Sequence, residues 1–246
     1  PQQDTIASIL SAYDDLIENN RRRIQLLEQA ARLLYKEWFV HLRFPGHEHV
    51  KIVDGVPEGW EKKQLGDLCS AIKETIQPKD VEPETPYIGL EHIPRRSISL
   101  CEWGTADAVT STKYRFSEGD ILFGKIRPYF HKVGTAFVPG ITSSDAIVVR
   151  SNMPNHQSIL LCLMSSDEFV AETAQSMREG SKMPRADWKL MQKYPVFVPK
   201  TILLDEFSEA INNIVQQLKT LTLQNQKLGA ARDLILPKLM NGEIAV

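Results

Sequence analysis

Lys125, Arg127 and Lys132 are interleaved with Tyr129, Phe130 and His131 in the stretch GDILFGKIRPYFHKVG, directly after an apolar run. Cations beside aromatic rings suit a surface that meets nucleic acid: the charges neutralise phosphates, and the rings stack or fill grooves. Strand alternation sets Lys125 and Arg127 against Gly124 and Ile126 and so predicts that both cations project from one face. Arg127 suits a bidentate contact to a guanine edge, worth about 1–3 kcal/mol of discrimination. Lys132, a flexible point charge, suits a phosphate. Tyr129 and His131 are candidates for sugars or base edges, and Phe130 reads as core. Further candidates are Arg95 and Arg96 after Pro94, Lys113 and Tyr114, and the group Ser181, Lys182 and Arg185. For each of these, an ordinary solvated side chain is the competing reading.

The chain has 246 residues and a formal net charge of −2, so positive charge for a polyanion has to be local or come from a partner. Signatures of catalysis are missing. There is no G-x-x-x-x-G-K-[ST] loop, no G-x-G-x-x-G after a strand, no [DN]-P-P-[YF], no G-x-S-x-G and no H-E-x-x-H. His47 and His49 lack further ligands nearby and read as solvated loop residues. Cys69, Cys101 and Cys162 are odd in number and widely spaced, the pattern of reduced thiols in an intracellular protein. Apolar runs are too short to span a bilayer, and no charged-then-apolar leader opens the sequence, so a cytoplasmic location is expected. The first residues, PQQDTIASIL, lack an initiator Met and read as those of a fragment or a processed chain.

Two long helices must position the candidates. Ile6, Leu10, Tyr13, Ile17, Asn20, Ile24, Leu27, Ala31, Leu34 and Trp38 recur at alternating spacings of four and three, a heptad seam. Asp4 is placed to cap its start, and Phe44-Pro45-Gly46 to end it. The rhythm returns at Phe207, Ile211, Ile214, Leu218, Leu221, Asn225 and Leu228, with Pro237 and Gly242 expected to close it. Each seam carries one Asn, Asn20 and Asn225, and a polar seam residue selects register at a cost in stability. The competing view is that these helices merely pack on a globular core. Between them, short strands and helices predict an α+β domain: strands in TPYIGLEHI, DILFGKI and YPVFVP, two strands joined at Pro139-Gly140, a helix from about His156 to Met177, and a short helix from Pro184. The expected organisation is a helix over 1–46, a mixed α/β domain over 47–200 and a second helix with its tail over 201–246.

The segment AYDDLIENNRRRIQLLEQAARLLYKEWFVHLRFPGHE running into VPEGWEKKQLGDLC resembles the junction in specificity (S) subunits of Type I restriction-modification systems, where a long helix leads into a target recognition domain. PYIGLEHI, FSEGDILFGKIRPYFHKVG, GITSSDAIVVR and MREGSKMPRADWKLMQKYPVFVP resemble parts of that domain, and FSEAINNIVQQLKTLTLQNQKLGAARDLILPKLMNGEI the second helix and tail. The resemblance implies a non-catalytic reader of double-stranded DNA, holding no cofactor itself. Partner subunits would act on the DNA: an S-adenosylmethionine-dependent adenine methyltransferase (M), and an ATP- and Mg²⁺-dependent restriction (R) subunit. Full S subunits usually carry two recognition domains, so this chain is expected to be a natural half subunit or a piece of a longer one. As a half subunit it would work as a homodimer, with the two helices pairing as an antiparallel coiled coil. The alternative from another class is a coiled-coil interaction or scaffold module without DNA binding.

Overall fold

The computed structural model describes residues 2–175 and 184–241. Helix α1 spans Gln2–Tyr35 and runs on as a π-helical turn, Lys36–Val40, before Leu42 at φ 57° turns the chain away. Asp4 therefore lies inside the first turn of α1, not at its cap. The globular region follows in chain order: β1 (Ile52–Val53), β2 (Val56–Pro57), β3 (Glu61–Gln64), α2 (Leu65–Leu68), β4 (Cys69–Ile72), β5 (Thr75–Ile76), β6 (Pro86–Ile88), β7 (Ser99–Leu100), β8 (Gly104–Thr105), β9 (Lys113–Phe116), β10 (Ile121–Gly124), β11 (Val133–Ala136), β12 (Gly140–Thr142) and β13 (Ala146–Ser151). Helices α3 (Gln157–Met164), α4 (Asp167–Gln175) and α5 (Trp188–Met191), strand β14 (Pro195–Val198) and helix α6 (Thr201–Met240) complete it.

Two five-stranded sheets, in the orders β4-β13-β10-β11-β7 and β5-β9-β12-β6-β8, and two two-stranded pairs, β1-β2 and β14-β3, form the domain. The segment expected to give two strands joined at Pro139-Gly140 gives three. β11 and β13 flank β10 antiparallel, while β12 crosses into the other sheet beside β6 and β9. Gly140 permits that crossing, because a Cβ there would lie 2.3 Å from the Pro86 carbonyl oxygen. The predicted helix over 156–177 is broken at Ser165–Ser166 into α3 and α4, its last two residues falling outside the described ones. α3 is not amphipathic, since every residue from Ser158 to Met164 is buried. The short helix expected from Pro184 begins at Trp188, where the Asp187 carboxylate accepts the Lys189 N–H at 2.9 Å. α6 passes through Pro237 instead of ending there, and Gly242 lies outside the described residues.

The heptad seams meet as expected, and they meet within one chain. Asp14 pairs with Arg232 at 2.6 Å, Asn20 bonds Asn225 at 2.9 Å, and Trp38 packs on Phe207 with ring centroids 5.4 Å apart. Partners on α6 descend in number as positions on α1 ascend, which defines an antiparallel pair. Asn20 and Asn225 thus bond each other within one chain. The competing view also holds for part of the seam. Ile24, Ala31, Tyr35 and Trp38 join Phe207, Ile211 and Leu218 in the main core of the domain, whereas the buried Ile17 lies outside that core. With 34 and 40 residues, α1 and α6 are about 51 and 60 Å long. Among the described residues no helix is long and apolar enough to cross a membrane.

Candidate nucleic-acid interface

The basic stretch begins where β10 stops. A Cβ at Gly124 would press to 3.2 Å on Lys132 Cβ and Leu90 Cδ2, so the last residue of the strand is closely packed. Beyond it the chain leaves the sheet. Ala186 N–H donates to the Lys125 carbonyl at 2.8 Å and Arg127 N–H to the Pro184 carbonyl at 2.9 Å, so 125–127 pairs with 184–186. Arg127 (φ 48°) and His131 (φ 56°) are both left-handed, and they bracket a single 3₁₀ turn over Pro128–Phe130. Non-glycine residues pay about 1 kcal/mol or more for that conformation. The loop is thus a strained reversal, and the expected strand face carrying Lys125 and Arg127 together is not formed.

The reversal builds a different cluster. The Arg95 guanidinium sits 4.0 Å from the Phe130 ring centroid and that of Arg127 5.8 Å from it, while Tyr129 meets Phe130 edge-on at 5.0 Å. Arg95, Arg127 and Tyr129 are exposed and Phe130 is half-buried. Phe130, expected in the core, instead serves as the platform under two arginines, an arrangement that favours a cation by its ring quadrupole. Lys125 lies beside it with its amine 5.7 Å from the Tyr114 ring and 2.6 Å from the Ser144 carbonyl oxygen. Burial holds this amine below the usual lysine range, with Asp145 opposing and Lys73 and Arg185 adding to the shift. Arg185 is exposed and paired with Asp145 at 3.3 Å.

Other candidates are occupied elsewhere. His131 is buried, its Nε2 2.6 Å from the Ser165 carbonyl oxygen and its Nδ1 3.5 Å from Asp167, so it supports the loop from beneath and offers nothing to a duplex. Lys113 is buried and donates to the Ser111 carbonyl and hydroxyl at 3.1 and 2.7 Å. The Lys132 amine is turned back onto the Leu90 carbonyl. Arg96 pairs with Asp167 at 2.6 Å, and its own carbonyl accepts from Arg32 of α1. Ser181 and Lys182 lie outside the described residues.

One positioning residue escaped the sequence reading altogether. Glu28, on the domain-facing side of α1 and 6% exposed, accepts from the Ser97 hydroxyl at 2.5 Å and from the Ile98 and Ser99 N–H groups at 3.0 Å each. It sits four residues after the seam residue Ile24, a spacing that puts an acid on the buried side of the helix. That was the available signal. Glu28 and Arg32 together tether the segment that carries Arg95 to the helical pair.

The thiols take no part. Burial pushes Cys69 and Cys162 up to about 12 and Cys101 to about 11, keeping them protonated and poor nucleophiles. Among the described residues no three His, Cys, Asp or Glu side chains gather as a metal would need.

Residues 57–228 match the family model of the Type I restriction modification DNA specificity domain. Over its whole length the chain is 27% identical to the MjaIX specificity subunit of a Type I restriction enzyme from Methanocaldococcus jannaschii, covering 59% of that protein. Over 79% of its length it is 27% identical to the EcoDI specificity subunit of Escherichia coli, covering 44% of it. The fold is similar to that of a Type I restriction-modification S subunit from M. genitalium, with a TM-score of 0.60 at 17% identity over 97% of this chain and 60% of the other. The chain thus spans about three fifths or less of the length of these three proteins. With the family model covering well over half of its residues and the long-helix architecture shared, this chain belongs to the Type I restriction modification DNA specificity domain family.

Proposed function

We propose that this chain is a sequence-reading module for double-stranded DNA, recognising one half of a bipartite target. The observation that carries this reading is the exposed Arg95–Phe130–Arg127–Tyr129 cluster, fixed by a strained turn in a member of a DNA specificity family. Arg127 and Arg95 would address base edges; Lys125, Lys73 and Arg185 would lie along the phosphates. In this reading residues 47–200 form the reader, and 1–46 with 201–246 form the spacer that holds it at a fixed distance from a second reader. That second reader comes from a further domain of a longer protein or from a second copy of this chain. A rod of about 50 Å covers roughly one and a half turns of duplex, the right scale for two half-sites separated by bases that are not read.

The chain itself would do no chemistry. Partner M subunits with S-adenosylmethionine would methylate adenine, R subunits with ATP and Mg²⁺ would translocate and cut, and the assembly would work in the cytoplasm. The test is selection of bound duplexes from a random pool with the full chain and its methyltransferase partner. A fixed base motif is expected, together with steep salt dependence, a log–log slope of about −3 to −5 for three to five phosphate contacts. Binding without sequence preference or salt dependence would leave a coiled-coil scaffold as the better account.

A further inference from the structure

Beside the reader loop lies a cavity of about 330 Å³ that phosphate contacts alone do not explain. Its buried residues are apolar, namely Ala146, Ile147 and Ala186, with the half-buried Ala71 and Ile72 of β4 beside them. Two half-buried aromatic rings, Tyr114 of β9 and Trp188 of α5, also line it. Three cations complete the lining: Lys73, Lys125 and Arg185. Asp187 also lines it, but its carboxylate is engaged in capping α5. Three cations against Asp187 leave the lining net positive, with Arg185 also paired to Asp145 at 3.3 Å, in a chain whose formal net charge is −2.

Size and shape narrow the occupant. The cavity is at the lower end of small-ligand sites, which run from about 300 to 1,000 Å³. A helix about 10 Å across does not enter it. A stacked duplex offers this surface phosphates and base edges but no flat face. Apolar residues and aromatic rings beside cations match a base joined to its phosphate. The cavity is also contiguous with the reader: the backbone pairing of 125–127 with 184–186 joins its lining to the strained turn that presents Arg127.

We propose that this cavity receives one nucleotide of the bound target, unstacked from the duplex, its base against Trp188 and Tyr114 and its phosphate among Lys73, Lys125 and Arg185. The inference rests on the reading of the chain as a DNA-binding module. Unstacking is easiest where pairing is already broken, so a mismatch at the extruded position should strengthen binding while mismatches elsewhere in the half-site weaken it.

The experiment uses the full chain and the duplex obtained by selection, altering the complementary strand to place a single mismatch at each position in turn. One position is expected at which the mismatch tightens binding about tenfold. Trp188→Ala should abolish that gain, and Trp188→Phe, which keeps a ring and guards against a folding defect, should retain it. Specific binding with no position that gains, or a gain that survives Trp188→Ala, overturns the nucleotide site and leaves the reader intact. If the parent chain selects no motif at all, the DNA reading falls and the cavity proposal falls with it.

Discussion

At the helical seam Asn20 and Asn225 meet at 2.9 Å on two regular helices, each satisfying the other. In the reader loop Arg127 and His131 hold left-handed backbones around a single turn, and their neighbours Arg95 and Tyr129 face solvent. The seam buries a polar pair and fixes a register. The loop carries strain and leaves Arg127 exposed. A region that must set a distance has its polar groups paired inside, whereas a region that must meet a ligand keeps them outside on a backbone with little freedom. Alongside the shared apolar core, bonds from α1 to the segment 96–99 join them, so the comparison can be tested at that joint first and then at each side.

The largest effect is expected at the joint. Glu28→Ala removes the acceptor of three donors, leaving the buried Ile98 N–H without a partner and the Ser99 N–H with only the Ser97 hydroxyl at 3.3 Å. Losing a charged acceptor and stranding a buried donor should cost about 3 kcal/mol, measured by urea denaturation. Glu28→Gln keeps an acceptor oxygen and should cost about half of that. If Glu28→Ala unfolds at the parent's midpoint, the rod and the reader are not coupled through this carboxylate.

The seam comes next. Asn20→Leu leaves the Asn225 carboxamide facing an apolar neighbour and should cost about 2 kcal/mol. Adding Asn225→Leu should recover most of that loss, since removing both partners spares the unpaired polar group. A double variant as unstable as the sum of the two single ones would mean that the pair does not specify this register. The mass by sedimentation should stay the same throughout, because the bond closes within one chain.

The two regions also differ in how far their residues announced them. The seam was legible because helix periodicity is a long-range regularity: Ile17, Ile24, Ala31 and Trp38 are buried where the heptad puts them. The loop was legible in composition and misread in geometry. Alternation assumes that a strand continues, but β10 ends at Gly124 and 125–127 pairs instead with 184–186, which only the folded chain brings there. Phe130 was placed in the core for its apolarity, when its partners are two arginines distant in sequence or left-handed in backbone. Lys73 and Trp188 draw their roles from contacts between segments far apart in the chain, which no local pattern encodes, whereas Glu28 is signalled only by its spacing of four from Ile24.

At the loop, Arg127→Ala should weaken binding to the selected duplex by more than tenfold, about 1.4 kcal/mol or more, while the denaturation midpoint stays near the parent's. The comparison predicts this separation, since an exposed ligand-facing cation contributes to affinity and little to folding. Equal affinity of variant and parent would remove Arg127 from the interface and shift the reading role to Arg95.

The smallest effect concerns His131, the one candidate that turned inward. Burial holds its pKa below the ordinary histidine value, aided by Arg96 and Arg32; the Ser165 carbonyl and Asp167 pull the other way without prevailing, and Arg96 already neutralises Asp167. The folded state therefore prefers neutral imidazole, with Nε2–H donating to Ser165. As pH falls below about 6.5 the unfolded chain takes up a proton that the folded chain resists, so stability is lost on acidification, by less than about 1.4 kcal/mol per pH unit. His131→Asn should flatten the part of the stability–pH curve below about 6.5 that this residue contributes. His156, also depressed by burial, should leave a residual slope. If the parent's slope survives His131→Asn undiminished, then the histidine titrates as a surface group would. In that case the inward support of the reader loop, and with it the contrast between a buried prop and exposed readers in a single turn, is wrong.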